Sequence, residues 1–353
     1  MKHVGIIGAG ASGLYAAKEC LKSGHSVTIF EQSNEVGGVW FYTPEINVHS
    51  SMYEKLCTNG PKETMGFIVQ TLMDKNKNGR SFLPQEKVLE LLREFAGPVK
   101  ENIRFNHKVI NVNRRDTHWE VEAKTPNQTI QTYNFDVLFV CTGHYFKESV
   151  PKFVEKYKKH WIHARNYRKA IDFTDQTVVV VGGGLSGLDI APQIYKFAKK
   201  VHILHVDPNL DQSILPQNVV IHPKLVDMNN GTLYLADGST LSDIDTVIFC
   251  TGYSYSFPFF ENSNPRIIEL LHNDKIISPL FEHVAHVDFL DNLFFIGMNN
   301  IAAFFLMIEY HVKFAMALME GKAIGVDMEK VKHFEEERFR IVDDSFEFEE
   351  HVE

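Results

Sequence analysis

The sequence predicts an α/β protein built from two Rossmann-like dinucleotide-binding domains. A glycine fingerprint occurs twice, as GAGASG at residues 8–13 and as GGGLSG at residues 182–187, here called the first and second glycine turns. Each copy follows a β-branched apolar run and precedes a stretch with helical periodicity, which is the context that the fingerprint requires. The glycines permit a tight turn, close approach of a pyrophosphate and close packing of helix on strand. Two such sites predict an enzyme that passes electrons between two cofactors.

Length and composition suit a globular protein of about two domains. The chain has 353 residues, of which 44% are hydrophobic, and its net charge is −9. This acidic balance argues against a nucleic-acid-binding surface. The four cysteines are widely separated and the 17 histidines show no ligand spacing. We therefore expect free thiols and no metal site.

No secretory or membrane segment is expected. The first predicted strand begins within a few residues of the N-terminus, which leaves no room for a signal peptide. The most apolar long stretch, Ile301 to Met319, carries Glu309, His311 and Lys313 at its middle, where charges would be costly in lipid. We expect a buried core helix there, no transmembrane tail, and a cytoplasmic or otherwise soluble protein.

The first unit begins with strand, glycine turn, helix and strand. Leu14, Ala17 and Leu21 repeat at helical spacing, and residues 26–30 read as the second strand. Glu31 ends that strand about twenty residues beyond the glycine turn, where a carboxylate accepts hydrogen bonds from a ribose 2′-hydroxyl. A solvated acid at a strand end is the alternative interpretation.

A helix and several strands complete the first unit. Residues 84–96 carry apolar side chains at helical spacing, and residues 108–123 and 129–142 alternate as strands. The last of these runs ends in Cys-Thr-Gly-His at 141–144. Residues 151–176 form the predicted crossing to the second unit.

The second unit repeats this plan. We predict a helix over 186–199, a strand over 201–206, and a buried strand over 246–249 that is again followed by Cys-Thr-Gly. Because this tripeptide follows a buried strand in both units, we expect it at the cofactor edge of each sheet. A last strand is predicted over 291–297, with a following helix that returns to the first unit.

Together these motifs resemble those of the flavin-containing monooxygenases, from residue 8 to about residue 322. The shared features are the two glycine turns, Gly-Gly-Val-Trp at 37–40, Thr58-Asn59, the two Cys-Thr-Gly turns and Phe-Ile-Gly at 295–297. The family's linker signature appears at 157–167, where the histidine and the final tyrosine match and lysine replaces glycine. That match favours the heteroatom-oxidising branch of the family.

The resemblance implies an FAD-binding domain, residues 1–150 and 291–353, with an NADP-binding domain inserted at 151–290. It implies a monooxygenase in which NADPH reduces FAD and the reduced flavin takes up O2 as a C4a-hydroperoxide. An amine nitrogen or a sulfide sulfur would then receive one oxygen atom. The implied partners are this small molecule and O2, and a homodimer is left open.

The resemblance places Asn59 at the flavin edge as the catalytic residue, because a neutral amide both donates and accepts hydrogen bonds. A turn residue before Gly60-Pro61 is the alternative. The cofactor-binding residues implied by the motifs are Gly8, Gly10, Ala11, Ser12, Gly13, Glu31, Gly38, Val39, Trp40, Thr58, Asn59, Thr142, Gly143, Gly182, Gly184, Ser186, Gly187, His205, Thr251, Gly252, Tyr253 and Gly297.

The choice between NADPH and NADH depends on the residues after the second strand of the second unit. The family commonly offers arginine to the 2′-phosphate there, whereas this chain has His205 and Asp207. Asp207 would repel that phosphate and suits the ribose hydroxyl of NAD. The cations expected to compensate are Lys199, Lys200, Arg165 and Arg168. Because of the resemblance we still expect NADPH as the reductant. Use of both NADPH and NADH is left open.

Two other functions stay open at this point. One is an NAD(P)H oxidase or reductase that releases hydrogen peroxide, and the other is a redox-inactive flavin-binding scaffold. A disulfide reductase is disfavoured because the chain has no closely spaced pair of cysteines.

Overall fold

A computed structural model describes residues 1–72, 79–205, 215–299, 304–331 and 333–334. The α-helices of this part of the chain are α1 (Ala11–Lys22), α2 (Gln85–Phe95), α3 (Leu185–Ile194) and α4 (Phe304–Met319). The strands, in chain order, are β1 His3–Ile7, β2 Ser26–Phe30, β3 Gly66–Phe67, β4 Gln70–Thr71, β5 Ile103–Arg104, β6 Lys108–Arg114, β7 Trp119–Lys124, β8 Ile130–Phe135, β9 Val137–Val140, β10 Lys147–Glu148, β11 Trp161–His163, β12 Thr177–Val181, β13 Lys200–Leu204, β14 Val219–His222, β15 Leu225–Asn229, β16 Thr232–Leu235, β17 Thr240–Leu241, β18 Thr246–Phe249, β19 Tyr253–Ser254, β20 Glu269–Leu271, β21 Ile276–Ser278, β22 Leu280–Phe281, β23 Ala285–His286 and β24 Leu293–Phe295.

The first sheet takes seven of the described strands in the order β22-β23-β24-β9-β1-β2-β5. Strands β24, β9, β1, β2 and β5 are parallel. Helices α1, α2 and α4 cover one face with apolar side chains, and the antiparallel sheet β6-β7-β8 covers the other. Both faces of the sheet are therefore buried, which explains the continuous apolar run of β9.

Helix α4 packs against α1, so the predicted return of the chain to the first unit is confirmed. The Tyr15 hydroxyl of α1 donates to Glu309 Oε2 of α4 at 3.2 Å. The first sheet also includes β22 and β23, which lie before residue 291. Their two-residue length carries no periodic signal, and the sequence analysis missed them.

The second sheet takes five described strands, all parallel, in the order β11-β18-β12-β13-β14. Strand β11 lies inside the predicted crossing 151–176. Helix α3 ends at Ile194 rather than at residue 199, and β13 ends at Leu204 rather than at residue 206. Pro192, which has no N–H to donate, lies in the last turn of α3.

The segment after β11 is joined to the loop 45–54 of the first unit by buried arginines. The Arg168 guanidinium donates to the backbone carbonyls of Glu45 and Ser50 at 2.9 and 3.0 Å. Arg165 Nη2 donates to Val48 O at 2.6 Å. The Tyr53 hydroxyl also donates to Asp189 of α3. These contacts connect the first unit to the second sheet on one side of the crevice between them.

Candidate functional site

The first glycine turn joins β1 to α1 and has no space for side chains. A Cβ on Gly13 would lie 1.9 Å from Gly8 O, and one on Gly8 would lie 2.5 Å from Cys141 O. The N–H groups of the first turn of α1 have no partner within the helix and favour an anion. The backbone here fits a pyrophosphate group.

The second glycine turn has the same construction. A Cβ on Gly187 would lie 2.0 Å from Gly182 O, and one on Gly182 would lie 2.7 Å from Cys250 O. In both units the cysteine N–H donates to the end of the glycine-bearing strand, at 2.9 Å for Cys141 and 2.8 Å for Cys250. The Cys-Thr-Gly turns therefore lie beside the glycine turns, at the carboxyl edge of each sheet, here called the cofactor edge.

Glu31 lies at the cofactor edge and is not a solvated acid. Its side chain is buried, Oε2 accepts from the N–H of Ala9 at 2.9 Å, and Oε1 accepts from the N–H of Ser33 at 2.8 Å. A cavity of about 320 Å³ opens beside it, and Ser33 and His49 contribute to its wall. Burial lowers the pKa of His49, so this imidazole is neutral at pH 7. The cavity and the carboxylate fit the adenosine half of a dinucleotide.

The segment Gly38–Trp40 lies over the first glycine turn. Gly37 N–H donates to Ala9 O at 3.0 Å, and a Cβ on Gly38 would lie 3.2 Å from Gly10 Cα. The indole Nε1 of Trp40 is buried and has no hydrogen-bond partner within the described residues. A buried donor of this kind needs a partner, and a bound cofactor can supply one.

Gly297 extends the site along the cofactor edge beyond β9. A Cβ on Gly297 would lie 2.4 Å from Ser12 Oγ at the start of α1. The Gly297 carbonyl lies 3.2 Å from His144 Nδ1, and Thr142 and Gly143 are exposed next to it. The residues predicted to bind the first cofactor thus follow one line over β2, β1, β9 and β24.

Thr58 and Asn59 lie on a loop held against the start of α2. Thr58 N–H donates to Leu83 O at 2.8 Å, and Leu83 N–H donates to Thr58 Oγ1 at 3.1 Å. Thr58 is buried and Asn59 is exposed. The backbone of this loop is fixed, while the Asn59 amide projects from it.

His205 lies over the second glycine turn. A Cβ on Gly183 would lie 1.4 Å from His205 Cδ2, so the imidazole covers this glycine closely. On the neighbouring strand end, the Thr251 hydroxyl donates to Ser149 O at 2.5 Å, and His163 Nε2 lies 3.0 Å from Gly252 O. Burial lowers the pKa of His163 to about 4, which keeps its ring neutral at pH 7.

The expectation that four cations compensate for the missing arginine is wrong. Arg165 and Arg168 are buried and bound to the carbonyls of the loop 45–54. Lys200 begins β13 and Lys199 precedes it, so both lie about 13 Å along the strand from the end that His205 follows. Asp207 lies outside the described residues.

Tyr145 and Phe146 lie next to the predicted site residues, and the sequence analysis did not single them out. Both are exposed directly after Cys-Thr-Gly-His, the Tyr145 ring centroid lies 5.3 Å from that of Tyr253, and the Arg165 guanidinium lies 4.4 Å above the Phe146 ring. Two aromatic residues immediately after a turn at the cofactor edge are the signal that could have identified them.

Neither a metal-ligand cluster nor a membrane-spanning helix occurs among the described residues. In residues 1–72, 79–205, 215–299, 304–331 and 333–334, no group of histidine, cysteine or acidic side chains could hold a metal ion. Cys20, Cys57, Cys141 and Cys250 are free thiols. Among the described helices, none combines the length and the apolar character needed to cross a bilayer.

Comparison with known proteins identifies the family. A family model described as flavin-binding monooxygenase-like matches residues 1–207 and 204–322. Flavin-containing monooxygenase FMO GS-OX5 of Arabidopsis thaliana is 34% identical over 354 residues, which cover 93% of this chain and 76% of that protein.

Solved structures give the same result. S-allyl-L-cysteine S-oxygenase from Allium sativum superimposes with a TM-score of 0.89 at 30% identity, over 98% of this chain and 82% of that one. Tmm from Pelagibacter sp. strain HTCC7211 has a TM-score of 0.83 at 27% identity, over 95% and 79% of the two chains. The predicted two-domain Rossmann-like fold and the predicted cofactors are confirmed. The chain belongs to the flavin-binding monooxygenase-like family and is an FAD- and NADP-dependent flavoprotein monooxygenase.

Proposed function

We propose that this enzyme uses NADPH and O2 to transfer one oxygen atom to a soft nucleophile, either an amine nitrogen or a sulfide sulfur. The observation that carries this proposal is the pair of glycine turns, each closed by a Cys-Thr-Gly turn in the same way. Two nucleotide sites in one chain suit hydride transfer between two cofactors. The named activity of the Allium sativum relative, an S-oxygenase, supports the sulfide class.

The residues of the first unit fit FAD. The first glycine turn would hold its pyrophosphate, Glu31 its adenosine ribose, and Trp40 Nε1 one of its acceptor atoms. When bound, FAD supplies the chemistry by accepting a hydride from NADPH and activating O2. The protein contributes orientation and exclusion of water. A nitrogen or sulfur lone pair is nucleophilic without a protein base, so the substrate needs to be held and oriented rather than activated.

We assign Asn59 to the hydrogen-bonding role beside the flavin. Its loop is fixed through Thr58 and Leu83, and its side chain is exposed. A primary amide donates and accepts without changing charge over the working pH range. Such a group suits the stabilisation of a reactive oxygen species next to the ring.

The second unit would hold the nicotinamide cofactor. Its pyrophosphate belongs at the second glycine turn, with Gly182, Gly184, Ser186 and Gly187, and the residues along the edge are His205, Thr251, Gly252 and Tyr253. We propose that the inserted domain runs from residue 151 to about residue 279 rather than to residue 290. The pairing of β22 and β23 with β24 supports a return of the chain to the first domain near residue 280.

A substrate screen tests this function. Purified FAD-loaded protein is incubated with NADPH, O2 and a set of tertiary amines and sulfides, and products are analysed by mass spectrometry. We expect a mass gain of one oxygen atom that requires both NADPH and O2. NADPH consumption matched by hydrogen peroxide, with no oxygenated product from any probe, would identify an oxidase instead. Bound FAD that NADPH does not bleach would identify a redox-inactive scaffold.

A further inference from the structure

One loop of the first unit begins inside the second unit. This loop, residues 53–59, is here called the Asn59 loop. The Tyr53 ring is buried in the apolar core around the second sheet, where its centroid lies 5.2 Å from that of Tyr167. The Tyr53 hydroxyl donates to Asp189 Oδ2 on α3. The first residue of the loop is therefore attached to the second unit.

The other end of the Asn59 loop is fixed to the first unit. The Gln85 N–H at the start of α2 donates to Leu56 O at 3.0 Å, and Thr58 and Leu83 form the two hydrogen bonds described above. Asn59 follows directly and is exposed. The loop thus bridges the two units, so its position depends on both of them.

Asp189 lies close to the end of α3 that follows the second glycine turn. Helix α3 begins at Leu185, and with a rise of about 1.5 Å per residue Asp189 lies about 6 Å farther along the helix axis. Gln193 Nε2 donates to the same Oδ2 atom at 3.1 Å, and the Tyr167 hydroxyl donates to Gln193 Oε1 at 3.3 Å. The carboxylate is therefore held in one orientation toward Tyr53, near the proposed pyrophosphate site of the nicotinamide cofactor.

The Tyr53 hydroxyl does not ionise near neutral pH. Burial and the hydrogen bond to Asp189 raise the pKa of Tyr53, so this hydroxyl stays protonated and remains a donor. A hydroxyl that donates to a carboxylate forms one of the stronger hydrogen bonds found in proteins. Helix α3 and the Asn59 loop are thus joined by a directional contact in addition to apolar packing.

The two units are also joined by contacts that bypass α3. Arg165 and Arg168 bind carbonyls of residues 45–50, the Glu54 N–H donates to Arg168 O at 2.8 Å, and β10 pairs with β19. These contacts do not involve the Tyr53 hydroxyl. Loss of that hydroxyl should therefore leave the two units assembled and remove the hydrogen bond that joins α3 to the Asn59 loop.

We propose that Tyr53 and Asp189 are positioning residues for hydride transfer. Their hydrogen bond fixes the helix that would hold the nicotinamide nucleotide against the loop that would present Asn59 to the flavin, and so sets the approach of one ring to the other. Misplacement of reacting atoms by about 1 Å can lower a rate by about a hundredfold. The proposal rests on the proposed function and adds two residues that act through α3 and the loop rather than by touching the reacting atoms.

Anaerobic reduction of the FAD-loaded protein separates binding of NADPH from hydride transfer. Stopped-flow measurements at increasing NADPH concentration give a dissociation constant and a limiting rate constant. In Tyr53→Phe we expect the limiting rate constant to fall about tenfold, while the dissociation constant changes by less than about twofold because the second glycine turn is intact. Tyr167→Phe is the matched control, since it removes a hydroxyl from the same core but leaves the bond between Tyr53 and Asp189. An unchanged limiting rate constant in Tyr53→Phe would overturn the proposal.

Substitutions of Asp189 test the same hydrogen bond from its acceptor side. Tyr53 and Gln193 donate to one oxygen, so Asp189→Asn keeps an acceptor for both and should retain most of the rate. Asp189→Ala removes the acceptor and should lower the limiting rate constant about tenfold, as in Tyr53→Phe. The double variant, Tyr53→Phe with Asp189→Ala, should be no slower than either single variant. Losses that multiply in the double variant would contradict a shared role.

Cys57 allows a second measurement that does not depend on turnover. It lies in the Asn59 loop and is exposed, whereas Cys20, Cys141 and Cys250 are buried. Its rate of reaction with an aromatic disulfide reagent is measured with and without NADP⁺. We expect NADP⁺ to slow this reaction in the wild-type protein but not in Tyr53→Phe, because the bound nucleotide restrains α3 and, through Tyr53, the loop. An effect of equal size on both proteins, or no effect on either, would contradict the coupling.

The outcome is separable from the proposed function. NADPH that fails to reduce the flavin of the wild-type protein would reject the proposed function, and the reaction of Cys57 would still test the link between α3 and the loop. Reduction of the wild-type flavin, with the same limiting rate constant in Tyr53→Phe and Asp189→Ala, would retain the function and reject the positioning role.

Discussion

Trp40 and Asn299 each carry a buried polar atom with no hydrogen-bond partner among the described residues. A group left in this state costs about 1–3 kcal/mol. Trp40 is the last residue of the segment Gly38–Trp40 over the first glycine turn, and Asn299 lies two residues beyond Gly297. Both therefore lie at the cofactor edge, and a bound cofactor that pairs with Trp40 Nε1 would return part of that free energy.

Substitution of Asn59 tests whether one side chain protects the reactive oxygen at the flavin. Asn59→Ala should retain FAD and NADPH oxidation but release more hydrogen peroxide, because the hydrogen bond that protects the reactive oxygen is lost. We expect the ratio of product to NADPH consumed to fall by about tenfold, the value of one hydrogen bond of about 1.4 kcal/mol. Peroxide and NADPH are measured in parallel, with Asn111→Ala as control. Unchanged coupling would remove Asn59 from this role.

The location of a single site residue was predictable where its position at the end of a strand determines what it can contact. Glu31 follows β2 directly, and its burial against the glycine turn agrees with that position. The arginines were misjudged because their partners come from a distant segment. Arg168 binds carbonyls of Glu45 and Ser50, more than a hundred residues away, and a sequence pattern carries no record of such contacts.

At the scale of elements, the turn between β1 and α1 is the most sensitive point. Gly13→Ala would place a Cβ 1.9 Å from Gly8 O, so strand and helix must separate and the phosphate site must open. We expect this variant to purify without bound FAD, measured as the flavin absorbance per protein. Gly97→Ala is the control, since its added Cβ would meet nothing within 4 Å. FAD retained at the wild-type ratio in Gly13→Ala would contradict this account of the turn.

Long periodic elements were predictable and short ones were not. Apolar runs and helical spacing identified β1, α1 and β2, and the predicted second strand matches Ser26–Phe30. Helix α3 was predicted too long, because its pattern continues past Pro192 while the helix ends at Ile194. The two-residue strands β22 and β23 depend on tertiary pairing, so no local pattern in the sequence predicted them.

At the scale of the whole molecule, the buried histidines predict a dependence of stability on pH. His163, His202 and His311 are buried, and burial lowers the pKa of each to about 4. His202 Nδ1 lies 2.8 Å from His222 Nε2, a contact that requires an uncharged ring. Below pH 6.5 the unfolded chain binds more protons than the folded chain, so stability present at pH 7 is lost as the pH falls toward 4.

The lowered pKa of His202 determines the expected size of this pH dependence. For His202 alone, the free energy of unfolding should be about 2 kcal/mol lower at pH 5 than at pH 7. Urea unfolding of the FAD-loaded protein at the two pH values measures the total, and His202→Phe with its partner His222→Phe should reduce the difference. An unfolding free energy that does not change between these pH values would show that the histidines are not held neutral.

The two dinucleotide-binding folds were predictable because the sequence contains the same strand, glycine turn and helix pattern twice. Each copy supports the interpretation of the other. A cavity between Phe281–Val284 and α4 was not predictable, because it depends on how distant segments meet in space.

The two glycine turns have the same construction, which limits how they can recognise a nucleotide. Each turn offers backbone N–H groups to a pyrophosphate, and these groups do not distinguish one nucleotide from the other. Discrimination is left to the residue that follows the second strand of each unit. Glu31 disfavours an additional anionic group on the adenosine sugar, whereas the imidazole of His205 tolerates one. The choice of nucleotide is thus assigned to one side chain in each half, Glu31 bound to Ala9 N–H and His205 over Gly183, and not to the glycines by which such sites are usually found.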